Sequence, residues 1–265
     1  MRILVCGEDM KGKLETSRTH EDEKIMPGDG IVATIVYDNN RYDRRLTPAW
    51  GFSCVVTAPE KTILFDTGGD GGILLDNMKK LCIRPSEVDV IVLSHIHGDH
   101  TGGLQEFLRH NSQVTVYLPS SFPTQIKRHI RSFGAEVKNV HEPEELFEAA
   151  ITTGELNGGV EEQSLLVKVS GVVCLITGCA HPGIINITKK AKETVGKEVY
   201  LVMGGFHLGG LFSSQISYVA ESLHRLGVQK VAPCHCSGDT ARRLFKDYFG
   251  KNYSDSGVGK QITIK

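Results

Sequence analysis

Ser94-His95-Ile96-His97-Gly98-Asp99-His100-Thr101-Gly102-Gly103 places three histidines and one aspartate within six consecutive positions. The stretch continues the apolar run Val88–Ser94, which reads as a strand buried on both faces. In extended backbone, residues i and i+2 point the same way, so His95 and His97 can grip one ion. Gly98 is expected to permit a tight turn that swings Asp99 and His100 towards a neighbouring position. Imidazole and carboxylate at this density suit Zn2+, Fe or Mn better than Ca2+ or Mg2+. A polar surface loop is the competing reading, and it gives no reason for this concentration of ligand types.

Outward from this stretch, the chain alternates. Upstream, β-branched runs at Ile31–Tyr37, Phe52–Thr57 and Thr62–Asp66 are spaced as a meander. Downstream, helical spacing is read at Gly103–His110, Phe122–Phe133, Pro182–Val195, Ser213–Leu226 and Thr240–Phe249. Between them lie extended segments at Val114–Leu118, Val137–Val140, Val199–Met203, Lys230–Ala232 and Gln261–Ile264. Ser164–Val169 and Val172–Thr177 read as a hairpin about Ser170-Gly171. Strands first and alternation afterwards imply an α/β protein whose sheets are covered by helices. Residues 1–30 differ: Glu8 to Asp29 is charged and aperiodic, read as a mobile N-terminal extension, with Met26 an alternative start. Residues 31–265 form the single expected domain.

The remaining unusual histidines and cysteines also fall just after expected strands, where α/β proteins gather their sites. Gly178-Cys179-Ala180-His181-Pro182-Gly183 follows one, and His181, just before a helix start, is well placed to face a site. A thiolate at Cys179 would favour Zn2+, although a buried structural thiol is the plainer reading. Pro233-Cys234-His235-Cys236-Ser237-Gly238 follows another strand, and its Cys-His-Cys lacks the ligand spacing of structural zinc sites. Met203-Gly204-Gly205-Phe206-His207-Leu208-Gly209-Gly210 presents His207 in a glycine-rich turn, as a metal ligand, a general acid, a substrate contact or simply a packed ring.

The His95-x-His97-x-Asp99-His100 pattern resembles the metallo-β-lactamase superfamily hallmark residue for residue, and the resemblance covers about residues 31–265. It implies a four-layer αββα sandwich with one or two divalent ions, most simply Zn2+, with Fe or Mn as alternatives, at one edge of the sheets. Asp66 of Leu64-Phe65-Asp66-Thr67-Gly68 then matches a carboxylate that orients metal-binding histidines, and His235 the last metal histidine. Cys179 stands where the family usually carries a bridging aspartate. The family's third histidine has no clear match, and Glu155 of Thr153-Gly154-Glu155 occupies that place.

Trp50-Gly51-Phe52-Ser53, Glu162-Gln163-Ser164-Leu165 and the glycine-rich turns narrow the resemblance further. They are similar to the branch named for 7,8-dihydropterin-6-methyl-4-(β-D-ribofuranosyl)-aminobenzene-5′-phosphate synthase, which also holds metal-dependent hydrolases. The expected function is hydrolysis of a small (phospho)ester by metal-activated water that Asp99 orients or deprotonates. The alternatives are a synthase-like transferase, with Trp50 and Phe206 stacking on a flat ring, and an iron-containing redox or sensing protein on the same fold.

Composition limits the partners. The formal net charge of −1 over 265 residues leaves no electrostatic footprint for nucleic acid. No apolar run approaches the ~18 residues that span a bilayer. Seven cysteines and a start that soon turns polar fit reduced thiols and a cytoplasmic protein acting on a small molecule.

Overall fold

The computed structural model describes residues 30–265, so the expected N-terminal arm lies almost wholly outside the described residues. The strands, in chain order, are β1 (Ile31–Asp38), β2 (Phe52–Thr57), β3 (Thr62–Phe65), β4 (Val90–Val92), β5 (Thr115–Pro119), β6 (Glu136–Val140), β7 (Glu144–Phe147), β8 (Ala150–Thr152), β9 (Leu165–Val169), β10 (Val172–Thr177), β11 (Leu201–Gly205), β12 (Lys230–Cys234) and β13 (Gln261–Ile264). They build a seven-stranded sheet ordered β13-β1-β2-β3-β4-β5-β6 and a six-stranded sheet ordered β12-β11-β10-β9-β8-β7. Helices α1 (Gly71–Lys80), α2 (Gly98–Thr101), α3 (Leu104–His110), α4 (Thr124–Ser132), α5 (Ile184–Val195), α6 (Ser213–Arg225) and α7 (Asp239–Phe249) complete the chain.

Period-2 alternation divides the apolar side chains between layers. From β2 and β3, Phe52, Cys54, Ile63 and Phe65 meet Cys174, Ile176 and Met203 of the other sheet in the central core. Val55 and Leu64 point the opposite way, onto Leu74 and Met78 of α1 and Phe107 of α3. In β10, Val173 and Leu175 pack with Ile187 of α5, Leu223 of α6 and Phe245 of α7. Three apolar layers between four structural layers make the expected αββα sandwich. Each sheet is mixed: β3 to β6 run parallel, as do β10 to β12, and the remaining pairs are antiparallel. The carboxyl ends of β1, β3, β4, β10, β11 and β12 therefore gather at one rim.

Helix α1 is not legible from its sequence. It opens on Gly71-Gly72, and only Leu74 and Met78 of its apolar residues are buried. Asp70 caps it by accepting from the Ile73 N–H, and Asn77 fixes it from within. The Asn77 amide donates to the carbonyls of Val36 (3.1 Å) and Thr47 (2.9 Å), and its oxygen accepts from the Thr47 N–H (2.9 Å). The short strands β7 and β8 also fall where the sequence shows no pattern. Asn77→Ala leaves the buried Val36 carbonyl and two part-buried Thr47 groups without their partner and is expected to cost about 2 kcal/mol, read as a lowered urea midpoint.

Candidate metal centre

Most of the rim histidines stand on backbone that has just left a strand; His100 instead lies in α2. His95 and His97 follow β4; His181 follows β10, His207 follows β11 and His235 follows β12. Asp66, Ala180, His207 and His235 all adopt positive φ, between 46° and 67°. Such backbone is costly for residues other than glycine and persists where the surroundings over-determine it. A side chain on Gly178 would lie 2.1 Å from Ser94 Oγ, so a glycine there lets the end of β10 press against Ser94 and Asp66.

Hydrogen bonds set the tautomer of each ring. Fully buried Asp66 accepts from the Ser94 N–H (2.7 Å), from Ser94 Oγ (2.7 Å) and from His100 Nδ1 (2.7 Å). Because Ser94 Oγ donates its proton to Asp66, it accepts from His95 Nδ1 at 2.8 Å. His181 Nδ1 donates to Glu162 at 2.9 Å. The Asn39 amide nitrogen points at the His235 carbonyl (3.4 Å), which leaves its oxygen for His235 Nδ1 at 3.0 Å. Each Nδ1 proton is thus committed, and Nε2 of His95, His100, His181 and His235 carries the lone pair.

Those lone pairs converge. His100 Nε2 lies 3.2 Å from His235 Nε2 and 3.3 Å from Cys179 Sγ, with Asp99 Oδ2 at 3.7 and 3.4 Å from the two nitrogens. On the other side, His95 Nε2 lies 3.1 Å from His97 Nδ1, and the His181 ring stands 4.6 Å from His95 and 4.9 Å from His97. Two nitrogen lone pairs at 3.2 Å repel unless positive charge lies between them, so this donor set fits a cation. Within two ligand groups, His95/Cys179/His181 and His100/Cys179/His235, all ligand atoms lie within 4.8 Å of one another. Cys179 belongs to both.

Charge follows burial. Burial, then repulsion between neighbouring rings, pulls His95 and His100 down to about 3, so both are neutral ligands at pH 7. Burial pushes Asp66 up to about 7 against the pull of His95 and Ser94. For Glu162, burial acts upward, but the His181 ring, the charge of His95 and the Ala180 and His181 amides outweigh it and hold the carboxyl at about 2. Asp99, partly exposed, is likewise held below the ordinary range: burial acts upward, and His235 and His100 outweigh it. Burial lowers His235, but the acidic groups around it, Asp99 Oδ2 at 3.4 Å foremost, outweigh burial and raise the ring above its ordinary value.

His95, His97, Asp99, His100, Cys179, His181 and His235 come together as the sequence suggests, with Asp66 behind His100. Three expectations are corrected. Gly98 makes no tight turn: it is the first residue of α2, a Cβ there would meet nothing within 4 Å, and the helical turn itself carries Asp99 and His100 round. Glu155 stands apart from the cluster, its side chain turned to the Ser121 N–H (3.2 Å) and 3.7 Å from His141, and the third imidazole beside His95 and His97 is that of His181. Phe206 is 1% exposed and packs on Phe245, out of reach of any substrate ring. Trp50, in contrast, is 61% exposed with its ring 4.9 Å from His235. His207 is exposed, 4.6 Å from the His181 ring, and a hydrogen bond with Cys236 raises its pKa.

Sequence reasoning missed Glu162, Asn39 and Cys236. Glu162 is the hub of the 178–183 loop: its oxygens accept from the N–H groups of Cys179 (2.9 Å), Ala180 (2.8 Å) and His181 (2.9 Å) as well as from the His181 ring. Its sequence signal is slight: it is the second of two adjacent glutamates just before the buried strand β9. Asn39 follows Asp38, which is itself buried and accepts from the His235 N–H (3.1 Å). Neither residue has a spacing that ties it to a histidine almost 200 positions away.

An αββα sandwich with a His/Cys cluster at the carboxyl ends of its strands defines a metallo-β-lactamase type of fold with a site suited to metal. A family model described as the metallo-beta-lactamase superfamily matches residues 51–187, and the chain belongs to that superfamily. The 7,8-dihydropterin-6-methyl-4-(beta-D-ribofuranosyl)-aminobenzene-5′-phosphate synthase of Methanocaldococcus jannaschii is 30% identical over 280 aligned residues, spanning 87% of this chain and 95% of that protein. An uncharacterized protein of the same organism, MJ0448, is 27% identical over 87% of this chain and 99% of its own. The crystal structure of Tm1679, a metal-dependent hydrolase of the beta-lactamase superfamily, matches with a TM-score of 0.76 at 26% identity, covering 88% of this chain and 99% of that one.

Two substitutions separate structural from chemical roles. Gly98→Ala is expected to keep full metal content and to leave stability within about 1 kcal/mol of the parent, since alanine suits a helix better than glycine. Glu162→Gln must turn an NH2 group against N–H donors; a loss of about 3 kcal/mol in unfolding free energy is expected, with reduced bound metal by elemental analysis. Because Glu162 is held at about 2 against an ordinary 4.5, its contribution is full above pH 4.5 and is lost as pH falls towards 2. The variant's acid-unfolding limb should be correspondingly shallower.

Proposed function

We propose that this chain is a metal-dependent hydrolase acting on a phosphoester or related ester of a small molecule. The observation that carries this reading is the convergence of imidazole lone pairs whose Nδ1 protons are already spent, beside one partly exposed carboxylate. One or two divalent ions, held by His95, His97 and His181 on one side and His100 and His235 on the other with Cys179 between, would supply Lewis-acid stabilisation of negative charge and lower the pKa of water from 15.7 to about 7. This donor set accommodates zinc or iron. Asp99, anionic and on the open side of the cluster, orients a water and takes its proton. His207, exposed at the rim and raised in pKa, is placed to return a proton to the leaving group.

A second reading is favoured by the 30% identity to the dihydropterin–aminobenzene ribofuranosyl phosphate synthase. Under it, the same site binds the leaving pyrophosphate of a pterin, and the exposed Trp50 offers its face to the flat ring. The readings part in assay: chelator-sensitive hydrolysis of phosphoesters supports the first, and condensation of a dihydropterin pyrophosphate with an aminobenzene ribotide supports the second.

Among the described residues, no helix is long and apolar enough to cross a membrane. The small-molecule substrate and the absence of a nucleic-acid partner remain part of the proposal, resting on the near-zero net charge.

His97→Ala is expected to lose both metal and activity while its far-UV circular dichroism stays near that of the parent; full metal content in this variant would contradict the ligand assignment. Trp50→Ala should raise KM for a planar substrate about tenfold, the worth of one ring contact near 1.4 kcal/mol, and leave KM for a non-aromatic phosphoester unchanged.

A further inference from the structure

Beside the two ligand groups lies a third, made of Cys179, Cys236 and His207, with Sγ, Sγ and a ring nitrogen all within 4.8 Å of one another. Cys236 enters the chemistry above only through its bond to His207, and the approach of its thiol to Cys179 has no part in it. Cys236 Sγ reaches over the Cys179 backbone, 3.5 Å from its carbonyl oxygen. What permits this approach is Gly205: a Cβ there would stand 2.7 Å from Cys236 Sγ and 3.2 Å from Cys179 Cα. No side chain from β11 separates the two cysteines. Cys236 is partly exposed and Cys179 is 4% exposed, so one thiol faces the rim and the other lies behind it.

We propose that Cys179 and Cys236 are a dithiol that a hydroperoxide oxidises to a disulfide, withdrawing Cys179 Sγ from both ligand groups. The accessible Cys236 sulfur attacks the terminal peroxide oxygen. The O–O bond breaks, an alcohol or water leaves, and Cys236 becomes a sulfenic acid. Cys179 sulfur then attacks the Cys236 sulfur and expels the hydroxyl, which leaves as water with the Cys179 proton. Two thiols give two electrons and the peroxide takes both. His207, the base beside Cys236, takes its proton in the first step and passes it to the departing oxygen. Closing the bond from 4.8 Å or less to about 2.05 Å requires side-chain rotation, with Gly205 leaving the space free. Cys54 and Cys174, fully buried in the central core, are shielded from the oxidant.

Formation of the disulfide is independent of the metal-site reading; its effect on ligand count rests on that reading, and the two are read separately. The purified protein, with whatever metal it carries, is treated with a few equivalents of hydrogen peroxide and then digested without reduction. The expected result is loss of two titratable thiols, a peptide pair linking Cys179 to Cys236 by mass spectrometry, and full recovery with dithiothreitol. Cys179→Ser should halt at a Cys236 sulfenic acid trapped by dimedone, and Cys236→Ser should leave Cys179 unmodified under the same dose. Survival of both thiols, linkage of other cysteines, or over-oxidation of Cys236 with Cys179 untouched would overturn the proposal. If the linkage forms while elemental analysis shows unchanged metal, the dithiol stands and the placing of Cys179 among the ligands falls.

Discussion

The site depends on a constraint that is satisfied away from the open rim: each buried imidazole has its Nδ1 proton tied to an oxygen. Asp66 holds His100 directly and His95 through Ser94, Glu162 holds His181, and Asn39 holds His235. With those protons fixed, the opposite nitrogens can only present electron pairs, and they present them to one another. Neutral rings without a cation between them would be mutually repulsive. The same bonds that fix the tautomers also fix the loops, since Glu162 and Asp66 accept backbone N–H groups as well as ring protons.

The sandwich serves this arrangement by bringing strand ends together. β4 belongs to one sheet and β10 to the other, yet Gln163, just ahead of β9, ties them: its side chain donates to the Leu93 carbonyl (2.9 Å) and its N–H to the Ser94 carbonyl (2.9 Å). Ser94 and His95 are thereby held against the sheet that carries Cys179 and His181. Positive φ at Asp66, Ala180, His207 and His235 is the local cost of turning each chain abruptly into the rim.

The layers and most strands are legible in the sequence because strands buried on both faces leave short, unbroken apolar runs, and the His95–His100 stretch is legible because its ligands are neighbours in the chain. What escaped was what depends on distant partners. Glu162 and Asn39 act on rings brought near only by the fold, and their residue types are ordinary at strand ends. Glu155 occupies the place where the resemblance expects a ligand, but a matching place in the chain does not say which way a side chain turns. Gly98 shows that a glycine can stand in a helix without using its conformational freedom. Phe206 sits in a glycine-rich turn yet points inward, a matter of strand phase.

The central claim is that Nε2 of His95, His100, His181 and His235 faces a bound cation. Anomalous diffraction at a metal absorption edge, from crystals of protein purified without added metal, tests it most directly. The account predicts ion density with these Nε2 atoms about 2.0–2.1 Å from it. Rings bonded through Nδ1, or an ion-free cluster with the histidines turned to solvent, would contradict it.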